Sequence, residues 1–452
     1  MDAMPRILGV ISVLACVLAC ASCTAGSHSS HLPVIPATNL PTAARPVEPS
    51  GLPTCGSTSG PQAWAEDVSA AGRVVWRTAL TTQSQQVGSV VQPVAASGMA
   101  IFADDTSVYG LRLSDGRLLW RTGIGRSALG MWTWSSTVTV ITGPSVTGAT
   151  LVSLDLASGK ERWEYPIPRD DLSNGQALTG DGGLATITSK GDLVVRSLDT
   201  GQVRWTASAA RPAAYPGPAA AGSLVFAGGG GQVRGYDAAT GSVAWTAGGM
   251  PVIPSLNLLS GILIVSDGDF GAHATSGVTA LSPATGRVLW RFNPGSVPVF
   301  PSSGPAGLGM ETGSTEQRLA LVNLRDGHEQ WQVQTTSQDV LFPVITASDV
   351  AYAVNGTSTV QLVDRRASDG AVRWQSQPFT GEASPLAELT GNSAMVVIGT
   401  DLLAFSLASG AADWRVTLPG QDPVTAPLVT ASGVLVEPVN AFNDCVPPGS
   451  AG

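Results

Sequence analysis

At 452 residues the chain exceeds an average domain, yet repeat and all-β folds reach this length as one unit. Apolar residues at 43% support a sizeable core, and 53 glycines with 31 prolines cut it into many short elements joined by tight turns. A net charge of −9 argues against nucleic acid, whose phosphates call for clustered Lys and Arg, and against docking on an anionic membrane through basic residues.

The first residues read as an export signal. Arg6 supplies the charge, and residues 7–19 form an apolar run too short to span a bilayer with ease. Residues 1–22 are therefore expected to be a lipoprotein-type signal peptide, with Cys23 after Ala21-Ser22 as the lipid acceptor. Cys20, after Val17-Leu18-Ala19, is a close rival and Cys16 a weaker one; an ordinary cleaved signal or a retained anchor is the remaining alternative. Cysteine parity separates the first two. Cleavage before Cys23 leaves Cys55 and Cys445 free to pair in an oxidising compartment, whereas cleavage before Cys20 strands Cys23.

Residues 23–60 are rich in Pro, Ser, Thr, Ala and Gly without apolar periodicity, which predicts an extended, disordered tether. From residue 61 to 447 the chain repeats. At near-even intervals Gly stands four residues before Trp in nine pairs: Gly72/Trp76, Gly116/Trp120, Gly159/Trp163, Gly201/Trp205, Gly241/Trp245, Gly286/Trp290, Gly327/Trp331, Gly370/Trp374 and Gly410/Trp414. The mean spacing of about 42 residues matches the blade length of a four-stranded propeller.

Each unit reads alike. In the first, residues 90–95, 99–103 and 108–113 are short β-rich runs, followed by Ser114-Asp115-Gly116 and then Arg117-Leu118-Leu119-Trp120. The residue before the Gly is Asp, Ser or Thr except at Ala71, and a side-chain oxygen there can bond the turn backbone. A blade must bury both faces of its sheet against its neighbours. A Trp at one fixed height fills each gap and buries about 150–250 Å². The nine repeated Trp residues are therefore expected to be structural. Nine Trp residues bound eight full intervals, with β-rich material left over at both ends (Val74-Val75-Trp76, then residues 426–432 and 434–439). Eight blades are expected, with one interval degenerate or the end strands appended.

The pattern Ala/Ser-Leu-x-x-x-(Thr/Ser/Asp)-Gly-x-x-x-Trp, best seen at residues 280–290 and 153–163, resembles the tryptophan-docking repeat of PQQ-like β-propellers. The resemblance covers about residues 70–440 and implies an all-β propeller of four-stranded blades. Within that superfamily the quinoprotein dehydrogenases use pyrroloquinoline quinone (PQQ) and calcium, commonly with the quinone stacked on a vicinal Cys-Cys disulfide. This chain has no cysteine between Cys55 and Cys445. The lipoprotein-like start points instead to the BamB-like branch, which implies a protein-binding scaffold without a cofactor.

A search for chemistry finds little. His-Glu-x-x-His, Gly-x-Ser-x-Gly, phosphate-loop and Cys-x-x-Cys motifs are absent. His28 and His31 lie in the tether, and His273 and His328 stand far apart. Asp267, Asp269 and His273 could gather a cation, but the later ligands of a calcium loop are missing, so a solvated turn is the better reading. The run Gly228-Gly229-Gly230-Gly231 reads as a hairpin turn, not a nucleotide loop. Trp132 and Trp134 depart from the repeat and alternate onto one face of a strand, as core packing or as an aromatic patch for a partner or sugar. No catalytic or metal site is expected. The expected role is a non-enzymatic lipoprotein, exported and lipid-anchored to the outer face of the cell membrane, that binds an envelope protein. A sugar-like small ligand is the first alternative, and a PQQ-dependent oxidoreductase the second.

Overall fold

The computed structural model describes residues 34–35 and, apart from several connecting stretches, residues 62–436. Every regular element among them is a β-strand, and the strands fall into nine antiparallel sheets with a four-stranded core each. We number the blades along the chain. Blade 1 holds Val94–Ala96, Met99–Ala103, Ser107–Arg112 and Leu118–Gly123 from inside to outside, and blades 2 to 8 repeat this plan as far as Ala412–Thr417. The first strands of successive sheets contact one another and ring the channel.

Blade 9 is built from both chain ends. Leu428–Val429 and Gly433–Val436 supply its inner half, and Gln62–Ser69 and Val74–Thr81 its outer half. Glu66 stands opposite Val436 in this closure, and Ser69 opposite Gly433. The count is therefore nine blades, not eight. The leftover β-rich material at the two termini is one further sheet, because neither end has enough strands to bury both of its faces alone.

The core is correspondingly divided into nine apolar slabs, one in each gap between blades. Strand alternation sends successive side chains to opposite gaps. Ile101 packs with Val138 and Val140 of blade 2, whereas its neighbour Phe102 packs with Trp76 and Leu80 of blade 9. This explains why the second strand of blade 1, Met99–Ala103, is apolar and buried at every position.

The hairpin before each Trp is tight. The Gly116 amide donates to the Arg112 carbonyl at 2.8 Å, and Gly116 takes a φ of +67°, which glycine alone adopts without strain. The Gly228–Gly231 run is the expected hairpin, with Gly229 opposite Gln232. Blade 7 carries two additions: Phe379–Thr380 beside its third strand, and residues 34–35 of the expected tether in parallel with its outer strand.

Candidate functional site

The repeated Trp residues occupy the gaps between blades and fasten them. Eight of the nine indole nitrogens donate to a main-chain carbonyl of the following blade: Trp76 to Leu113, Trp120 to Leu156, Trp205 to Ala238, Trp245 to Pro283, Trp290 to Leu324, Trp331 to Ala367, Trp374 to Leu407 and Trp414 to Ala70. The same rings lie on the turn glycines of the next blade. A Cβ added to Gly116 would stand 2.4 Å from the Trp76 ring, and one on Gly159 2.5 Å from Trp120. Glycine at this position therefore serves both the turn and the joint.

Trp163 is the exception. Its buried indole N–H has no acceptor among the described residues. The gap between blades 2 and 3 holds Trp132, Trp134, Trp163 and Tyr165 together, and Trp134 lies against Gly182 of blade 3. Trp132 and Trp134 are thus packing residues of this gap, and Trp132 also reaches the channel.

There the inner strands of blades 9, 1 and 2 border a cleft of about 730 Å³. Leu428 and Val429 form one wall, residues 91–95 a second, and Leu129 to Thr133 a third. The inner strands around it have two residues in blade 9, three in blade 1 and seven in blade 2. Leu129 is 41% exposed. The Trp132 ring folds back along its own strand over Gly130, where a Cβ would come within 2.6 Å of it. Among the described residues, Gln92, Thr133 and Thr430 are the polar members of the lining and none is ionisable.

The family model described as outer membrane protein assembly factor BamB matches residues 65–181, 147–296 and 279–426. The chain belongs to this BamB family. The BamB structure from Moraxella catarrhalis aligns with 71% of this chain and 94% of its own, at 17% identity and a TM-score of 0.46. Dihydro-heme d1 dehydrogenase NirN in complex with DHE aligns over 72% and 75%, at 12% identity and a TM-score of 0.50. A quinohemoprotein alcohol dehydrogenase from Pseudomonas putida HK5 aligns over 86% and 78%, at 11% identity and a TM-score of 0.45. At these identities the likeness is one of fold alone. No curated protein matches the chain.

Two buried acids in this BamB-family chain went unnoticed in the sequence. Asp67 and Asp364 stand directly across from Trp76 and Trp374, at a site that the other blades fill with uncharged residues, among them Gly110, Ala280, Ala404, Val195 and Leu321. Burial pushes Asp364 up to about 8 and Asp67 up to about 6. Arg373 Nε lies 3.8 Å from Asp364 but is engaged by Asp349, so burial outweighs attraction there. Glu66 is also raised by burial, and its ion pair with Arg77 at 2.6 Å pulls in the opposite direction. The legible signal for Asp364 was alignment of the repeats, which places it where most blades carry an uncharged residue.

Cys20, Cys23, Cys55 and Cys445 lie outside the described residues, as do Asp269 and His273. His328 sits exposed in a blade 6 turn, its amide bonded to Asp326. Among the described residues, no group of three or more His, Cys, Asp or Glu is placed to hold a metal ion. PQQ carries carboxylates, and its calcium needs anionic oxygen ligands. Among the described residues the cleft lining offers neither a cation nor a carboxylate, so the residues described there do not fit that pair.

Proposed function

We propose that this protein is an exported, lipid-anchored scaffold of the cell envelope that binds another protein at the apolar mouth of its channel and does no chemistry of its own. The observation that carries this reading is the cleft at blades 9, 1 and 2. Leu129 stands exposed there with Trp132, Leu428 and Val429, and no ionisable group is among the described lining residues. Aliphatic and aromatic anchors in a concave, uncharged setting are what protein hot spots use. Membership of a family described as an assembly factor supports the same task. The anchor is carried by Cys23, with Cys20 as its rival, and the ends of the fold are tied by a Cys55–Cys445 disulfide.

A photo-crosslinking residue at Leu129 tests this in cells, with Val243 on the outer rim of blade 4 as control. The expected result is a discrete protein adduct from position 129 and none from 243. Equal background from both positions overturns the reading, as does dye-linked alcohol oxidation after PQQ and calcium are added to the purified protein. Mass spectrometry of membrane-extracted protein locates the lipid, and unmodified cysteines at 20 and 23 remove the anchor. A sugar-like ligand is the second reading, favoured by Trp132 beside the amide of Gln92 and the hydroxyl of Thr133.

A further inference from the structure

The whole-chain charge of −9 hides a basic stripe. Three residues before the repeated Trp, blades 9, 1 and 2 carry Arg73, Arg117 and Lys160, all exposed. Among the described residues none of the three makes an ion pair. One residue before the Trp, blades 9 and 1 carry Val75 and Leu119, which are 47% and 41% exposed, and Leu118 beside Leu119 is 45% exposed. The repeat welds these side chains into one strip. Gly116 rests on the Trp76 ring and its carbonyl accepts from Thr78 Oγ at 2.6 Å, so Arg117 lies against the strand of Val75. Gly159 meets Trp120 in the same way and accepts from Thr122 Oγ at 2.6 Å, so Lys160 lies against the strand of Leu119.

The nearby acids are engaged or buried. Asp115 pairs with Arg112 at 3.0 Å and accepts from the Arg117 amide at 3.1 Å, and Glu66 and Asp67 are buried inside blade 9. Glu161, exposed next to Lys160, marks the end of the strip.

We infer that this strip docks on an anionic lipid surface, with the rim of blades 9 and 1 lying on the membrane. Cations interleaved with bare aliphatic side chains match that surface: the arginines meet phosphate headgroups while the leucines enter the acyl boundary. The chain as a whole carries a net charge of −9, so a local basic strip is favoured over the average surface in meeting an anionic membrane. The chain enters the fold in the same blade, at the end of the hairpin opposite the strip, where Gln62 pairs with Thr81. Gln62, the first residue after the N-terminal segment, begins a strand of blade 9. The inference rests on the envelope location proposed above, and adds an orientation to it.

The test is hydrogen exchange on the natively processed protein mixed with phosphatidylcholine vesicles, with and without phosphatidylglycerol. Outer-strand amides on a sheet edge exchange readily, so docking slows them. Slowed exchange at residues 73–75 and 117–119 with phosphatidylglycerol only, reversed by high salt, supports the inference. At about a fivefold gain per cation near the surface, Arg73→Gln with Arg117→Gln weakens docking by roughly 25-fold. Both sites are exposed, and an unchanged melting temperature shows that the variant folds. Flotation separates the two claims. Flotation with both vesicle types but no protection overturns docking and leaves the anchor intact. Flotation with phosphatidylglycerol vesicles alone supports docking and removes the anchor. Flotation with neither overturns both, and protection that needs added envelope protein assigns the strip to an acidic protein instead.

Discussion

The indole nitrogen of Trp414 donates to the carbonyl oxygen of Ala70 at 3.0 Å, joining residues 344 positions apart. This bond fastens blade 8 to blade 9 and closes the ring. Beside it, Gly72 lies on the Trp414 ring, and Arg77 Nη2 reaches the Thr417 carbonyl at 3.4 Å. Closure thus uses the same joint as every interior gap but one, and it is the joint with the longest chain to restrain.

Trp414→Phe keeps most of the burial and removes the donor, leaving the Ala70 carbonyl without it. We expect a loss of about 1–3 kcal/mol in urea or thermal unfolding. Trp163→Phe removes an N–H that has no acceptor, so its cost should be smaller, under about 1 kcal/mol. Equal losses at the two sites would show that the indole bond does not hold the joint.

Glycine substitutions separate turn strain from joint packing. Gly98 has a φ of +74° and open space around it, so Gly98→Ala pays only for the backbone, about 1 kcal/mol. Gly116 has a φ of +67° and the Trp76 ring 2.4 Å from any Cβ. Gly116→Ala should therefore cost about 2–5 kcal/mol, the strain together with a displaced Trp. Denaturant midpoints of the two variants give the comparison.

Asp364 makes stability depend on pH. Its folded value of about 8 lies above the ordinary carboxyl value of 3.8, so the folded protein holds this proton more tightly than the unfolded chain. Between those two values unfolding releases the proton, and rising pH favours unfolding. The contribution of Asp364 is thus most favourable in acid and declines up to about pH 8, then levels off. Asp67 acts in the same sense up to about pH 6. Asp364→Ala, which fits because Ala280 and Ala404 occupy the matching sites, should raise the melting temperature at pH 8 more than at pH 5. A shift equal at both pH values would refute the titration of Asp364.

Leu129→Asp tests the cleft without threatening the fold. Leu129 is already 41% exposed, so the change should alter stability by less than about 1 kcal/mol. It places a charge among described lining residues that carry none and should abolish capture of a protein partner there. Undiminished capture would move the binding surface elsewhere on the propeller.

Much of this molecule was legible in its residues. The Gly-x-x-x-Trp spacing specified four-stranded blades, the tight turns and the packing role of the Trp residues, because local geometry repeats whenever local sequence repeats. The blade number was another matter. Nine Trp residues mark eight intervals, and only the pairing of Gln62–Ser69 with Gly433–Val436 makes the end strands a ninth sheet. Strand pairing between distant segments leaves no trace in the spacing of either one.

Composition also fixed the sum of the charges but not their places. Arg73, Arg117 and Lys160 are scattered along an acidic sequence, and the ring of blades sets them side by side at one height. Asp364 reads as one more polar residue until the fold places it behind Trp374, where water cannot reach it. The cleft likewise depends on three inner strands from both halves of the chain. The sequence by itself determined the blade, since a blade is a local object of about 42 residues. Tertiary structure alone decided the ring, its basic rim and its channel, since these exist only where blades meet.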